Sequence, residues 1–211
     1  MVLSLGTLAL YVPAVLIMVL TPGPAILLTL NRSLAFGRRA GLATAAGLLS
    51  GTCLLQASAA LGLTVVLQAS GVAYEILKIA GALYLTSLGV RTFFAGADNL
   101  TRVRREGPRP SSRRHYLGGI ATELLNPKTA MFYVSILPQF VDVGAGRVAT
   151  QLLALGAIFV VFAACSLAVI VMSSTHVRSL LVRRPRVWII ARRVTGCVFI
   201  GFGARLALEP R

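Results

Sequence analysis

A chain of 211 residues that is 56% hydrophobic and only 13% charged, with a mean hydropathy of +0.82, has too little polar surface for a soluble domain. Its formal net charge of +15 would suit a nucleic-acid partner in a soluble protein, but the basic residues fall in alternate loops between apolar runs, which argues against nucleic acid. The composition points to an integral membrane protein, and runs of about 20 residues point to helices, because barrel strands are only about 9–11 residues long.

Six apolar runs are expected as spans, roughly 5–30, 41–67, 73–95, 116–138, 148–173 and 188–208. The first has no basic flank ahead of it and outruns a signal-peptide core, so it reads as a span. Inside it, "LTPGPA" at 20–25 breaks the helix. Pro22 and Pro24 cannot donate to the carbonyls of Met18 and Leu20, and Gly23 lets the chain turn. The piece beginning near Ala25 then offers amide N–H groups to a carboxylate, and the freed carbonyls suit an ammonium group. The second run carries Gly37 and Gly41, then Gly47 and Gly51, spaced for close helix approach. Gln56 and Ser58 in the same run either line a cavity or cross-link helices. In the third run Glu75 and Lys78 stand one turn apart, readable as an interfacial ion pair or as a coupling pair. Gly81, Tyr84, Ser87 and Gly89 follow as a small, polar strip, with Tyr84 long enough to reach a cavity.

The stretch "DNLTRVRREGPRPSSRRH", 98–115, is the longest polar segment and reads as a flexible cytoplasmic linker. The fourth run contains "ATELLNPKTAMFYVSILPQF", 121–140, with a second breaker at Asn126-Pro127. Pro127 frees the carbonyl of Glu123, while Glu123 and Asn126 share a helix face that Thr122 and Thr129 extend. A charge at mid-bilayer costs at least about 2.5–3.5 kcal/mol, so Lys128 is expected to pair with Glu123 or Glu75 or to meet substrate. Glu123 is the expected proton carrier. Cys53, Cys165 and Cys197 are isolated in apolar runs and read as small packing residues, with no metal site and no cofactor implied. His115 and His176 fall in basic loops and read as solvated.

The linker divides the chain into 1–97, 98–115 and 116–211, three spans on either side. An odd number of spans per half inverts the second half relative to the first, and the breakers recur in the first span of each. The expected fold is therefore an all-α integral membrane protein with six transmembrane helices in two inverted three-helix repeats, the first and fourth helices interrupted. Positive charge in alternate loops places both termini outside the cytoplasm.

With "TPGPA", "LKIAGALYLTSLGVR" and "LLNPKTAMFYVSILPQF" in this order across both halves, the chain resembles the lysine exporter and homoserine/threonine resistance family of amino-acid efflux transporters. The resemblance implies six helices, export of amino acids or related small metabolites across the bacterial inner membrane, and energy from a proton or ion gradient, an antiport. Residues matching the family pattern are Pro22, Gly23, Pro24, Lys78, Gly81, Tyr84, Gly89, Asn126, Pro127, Lys128, Pro138 and Gln139. Ala25 stands where many relatives have a polar residue, and Glu123 where a neutral one is more usual. The resulting expectation is a non-enzymatic secondary transporter that binds a zwitterion with Pro22, Gly23, Pro24, Ala25, Tyr84, Asn126, Pro127 and Lys128, with Glu123, Glu75 and Lys78 in coupling. Its partners would be an amino-acid substrate and the lipid bilayer, with a homodimer permitted by the glycine faces. A membrane enzyme or redox carrier lacks the paired groups it needs. An exporter of heavy-metal cations or of another small metabolite, on the same architecture, is the alternative.

Overall fold

Proline and glycine positions set the helix boundaries. The computed structural model describes residues 3–21, 23–69, 71–94, 110–176, 179 and 185–208. All regular structure among them is helical. Pro22 and most of the 98–115 linker lie outside the described residues.

Helix α1, Leu5–Leu20, begins at Ser4, whose side chain accepts from the Thr7 amide at 3.0 Å. Its buried residues, Tyr11, Ala14, Val15, Met18 and Val19, recur at three- and four-residue steps and form one face. After the break, α2, Pro24–Phe36, has Pro24 in its first turn, where a missing amide hydrogen costs nothing. It ends at Gly37, whose φ of 88° suits glycine and whose amide caps Ser33 at 3.0 Å. Next come α3, Arg38–Ala69, and α4, Gly71–Phe94. Helix α5, Ser112–Leu124, is capped by Ser111 and stops at the second break. Beyond it lie α6, Pro127–Met131, a wide-turn stretch Phe132–Ile136 and a tight-turn stretch Leu137–Phe140. Pro138 has no amide hydrogen for the regular ladder there, and the Gln139 side chain donates to the Ser135 carbonyl at 2.9 Å instead. Helices α7, Val148–Met172, and α8, Pro185–Leu208, complete the described fold.

Residues 38–62 of α3 and the whole of α7 are long and apolar enough to cross a bilayer, and α1 with α2, bent by 47°, forms a third candidate span. Helices α4 and α8 have 24 residues each, but charged side chains interrupt them, among them Lys78 and Arg91 on α4 and Arg192 and Arg193 on α8.

The core lies between α1, the irregular segment after α6, and α7. Tyr11 and Phe140 meet edge-on at 5.1 Å between ring centres, Phe132 and Phe159 at 4.6 Å, and the Tyr11 hydroxyl donates to the Leu155 carbonyl at 2.8 Å. Glycines allow two close helix crossings. A Cβ on Gly47 would collide with the Tyr116 carbonyl and one on Gly119 with the Thr44 carbonyl, which brings α3 and α5 into backbone contact. On the other side, a Cβ on Gly89 would lie 2.7 Å from the Gly196 carbonyl, and one on Gly196 2.7 Å from the Gly89 carbonyl. Gly203 meets Ala82 in the same way, so α4 and α8 run antiparallel. In lipid, where apolar side chains have no water to leave, this close approach is what holds helices together.

Two expectations change. His115 is not a solvated loop residue: it belongs to α5, is buried, and lies with its ring centre 5.3 Å from that of Phe36, tilted by 48°. Cys53, Cys165 and Cys197 are exposed on the outer faces of their helices, where an apolar thiol is at ease in hydrocarbon, and do not pack inside. Of the two roles open to Gln56, cross-linking is the one found: its amide donates to the Leu153 carbonyl at 2.9 Å, in space left by Gly156. His176 is exposed as expected.

Candidate functional site

Each break leaves backbone groups without a helical partner, and the two breaks meet at one cavity. Its walls come from Met18 and Val19 of α1, Gly23, Ala25 and Ile26 at the start of α2, and Leu48 and Thr52 of α3. Glu123, Asn126, Lys128 and Thr129 from the second break, with Phe159, Ala163, Ser166 and Leu167 of α7, close it.

Asn126 organises the second break. Its Oδ1 accepts from the Lys128 amide at 3.1 Å, capping α6, while its Nδ2 donates to Thr129 Oγ1 at 3.0 Å and to Glu123 Oε2 at 3.2 Å. The other Glu123 oxygen, Oε1, accepts from Thr52 Oγ1 at 3.2 Å. That hydroxyl has a single proton and shares it with the Leu48 carbonyl at 3.0 Å. Glu123 is 3% exposed, so its carboxylate is held by two neutral donors and retains acceptor capacity. Gly51 makes room for it, since a Cβ there would come within 2.8 Å of Glu123 Cβ.

Lys128 crosses to the first break. Its Nζ donates to the carbonyls of Met18 and Thr21, both at 2.8 Å. The expected pairing of Lys128 with Glu123 or Glu75 is therefore replaced by carbonyls that the first break left open. Glu75 instead pairs with Lys78 at 2.7 Å, and no ion pair joins Glu123 to Lys128 among the described residues. An ammonium group has three N–H donors, so one remains for the cavity. The Glu123 carbonyl, freed by Pro127, accepts from the Asn126 amide at 3.0 Å. The Met18 and Glu123 carbonyls, expected to receive a substrate ammonium, are thus already engaged.

Of the residues singled out from the sequence, Gly23, Ala25, Glu123, Asn126 and Lys128 line the cavity. Pro24 and Pro127 occupy the first turns of α2 and α6 and act through the backbone. Tyr84, Glu75 and Lys78 lie outside the lining, because α4 is committed to α8. Sequence reasoning overlooked Thr52, Ser166 and Thr195. Ser166 Oγ donates to the Val19 carbonyl at 3.3 Å, and the Thr195 hydroxyl of α8 bonds to that of Thr21 at the break. Thr52 follows Gly51 directly and stands one helical step above Gln56, a polar spacing in an apolar run that could have drawn attention to it.

A mostly apolar set of helices, interrupted twice around one cavity with both signs of charge, defines a multi-pass membrane protein of the solute-translocating kind. The chain belongs to the LysE type translocator family, whose model matches residues 16–210. It is 28% identical over 206 residues to the membrane protein YrhP of Bacillus subtilis, covering 94% of this chain and 97% of that one. Leucine efflux proteins of Salmonella typhimurium and of an Enterobacter species are 28% and 29% identical over 197 residues, covering 93% of this chain and 92% and 93% of theirs. No solved structure matches the chain.

Proposed function

We propose that this protein is a secondary transporter that exports a small zwitterionic amino acid with an uncharged, mainly apolar side chain across the bacterial inner membrane, in exchange for a proton or ion. The observation that carries this reading is that Glu123 and Lys128 line one cavity, opposite in charge, each held by neutral groups instead of by the other. A zwitterion bridges such a pair. Its ammonium goes to Glu123, which Thr52 and Asn126 position, and its carboxylate to the remaining Lys128 N–H and the first amides of α2. The two protein charges cancel. A substrate side chain among Ile26, Leu48, Phe159 and Leu167 therefore finds no partner for a charge of its own, which would be costly there. The relatives named leucine efflux proteins accord with this choice.

Glu123 is the coupling group, taking a proton when the substrate ammonium leaves. Completing the spans with α4, α8 and the α5–α6 segment gives six crossings, and the basic loops on alternate sides put both termini outside. The matching breaks and the reciprocal Gly89–Gly196 crossing accord with an inverted repeat. The test loads cells with dipeptides and follows release of free amino acids by mass spectrometry, with wild type, Glu123→Gln and empty vector. Selective release of apolar amino acids by the wild type alone is expected; equal release by all three would refute the transport reading.

A further inference from the structure

The Met18 and Thr21 carbonyls are a pair of acceptors at the end of α1, each 2.8 Å from one ammonium nitrogen supplied by a residue more than a hundred positions later. Neither has the helical donor it would ordinarily receive: residue 22 is proline, and α2 starts a new ladder at Gly23, whose carbonyl takes the Leu27 amide. Gly23 lies directly beside the incoming chain: a Cβ there would sit in ordinary van der Waals contact with Lys128 Nζ at 3.4 Å and its Cδ at 3.6 Å. A helix C-terminus favours a cation, and two carbonyls at this distance select one with N–H donors. We propose that these carbonyls form a primary-ammonium site, which Lys128 fills from the opposite break, so that Lys128 is the positioning residue that latches the two interrupted helices together. The latch orients the third N–H into the cavity and, resting on the export reading above, must release for the cavity to open.

The experiment uses full-length Lys128→Ala in detergent and in cells. Methylammonium should raise the apparent melting temperature of the variant saturably and leave the wild type, whose site is filled, unchanged. Tetramethylammonium, with the same charge and no N–H, should do nothing. Export should fall at least tenfold in the variant, about the worth of one charged hydrogen bond, and return in part with methylammonium. No shift, an equal shift in the wild type, or an equal response to tetramethylammonium would overturn the site. A methylammonium shift in a protein whose wild type exports no amino acid would leave the site standing and remove the export reading. Should the alanine variant fail to accumulate, Lys128→Cys in a background free of the natural cysteines replaces it. There a 2-aminoethyl thiosulfonate reagent, which rebuilds a primary ammonium, should restore export, and its trimethylammonium analogue should not; equal restoration by both would overturn the site.

Discussion

Glu123 accepts from Thr52 and Asn126, and among the described residues no cationic partner is in direct contact with it, so its negative charge remains for something that enters the cavity. Glu123→Gln retains an acceptor oxygen and the packing against Gly51 but removes that charge. Export is expected to drop at least tenfold, the scale of one charge-assisted hydrogen bond, while the purified variant melts close to the wild type; an unimpaired export rate would sink the assignment. The breaks at Gly23 and Asn126 were legible in the sequence because proline and glycine act on their own backbone. The partner of Lys128 was not. A backbone carbonyl 110 residues away leaves no mark in composition or spacing.

Among the helices, close approach at glycine is the feature that mutation should expose. Gly89 and Gly196 face each other's carbonyls, so Gly89→Val or Gly196→Val must push α4 from α8 and should cost about 1–3 kcal/mol, as overpacking does elsewhere. Gly201, on α8 itself, has open space where its Cβ would be, and Gly201→Ala should be neutral or slightly stabilising. Thermal melts of the three variants in one detergent check the contrast; equal losses would mean that the crossing is not the cause. The sequence pointed to Gly81 and Gly89 as a contact strip but could not show that the surface opposite was Gly196 and Gly203. A helix face shows that it wants a neighbour without saying which.

Across the whole molecule, the tightest crossings join opposite halves of the chain: α3 to α5 through Gly47 and Gly119, and α4 to α8 through Gly89 and Gly196. A simple rocking of residues 1–97 against 116–211 would tear both. Besides the release of the Lys128 latch between the two breaks, motion is expected between the α4–α8 pair and the interrupted helices, where α8 reaches the break through Thr195 and Thr21. In a background lacking the natural cysteines, Thr21→Cys with Thr195→Cys should stop export when oxidised and recover on reduction. Phe93→Cys with Arg193→Cys, replacing a side-chain contact within the α4–α8 pair, should tolerate a bismaleimide bridge. Export blocked by the second bridge would restore the half-against-half motion. Composition made the membrane class legible, and the prolines revealed the paired breaks; the pairing of helices across the linker depends on contacts that one-dimensional patterning does not encode. The segment Phe132–Phe140 adds a mechanical consequence. Winding wider and then tighter than an α-helix, it works like a thread of variable pitch: returning its four tight residues to α geometry would shorten it by about 2 Å, at roughly 0.5 Å per residue. That slack lets the break at Asn126 travel while the far loop, pinned by Gln151 to the Asp142 and Gly146 carbonyls, stays still as a fixed rim.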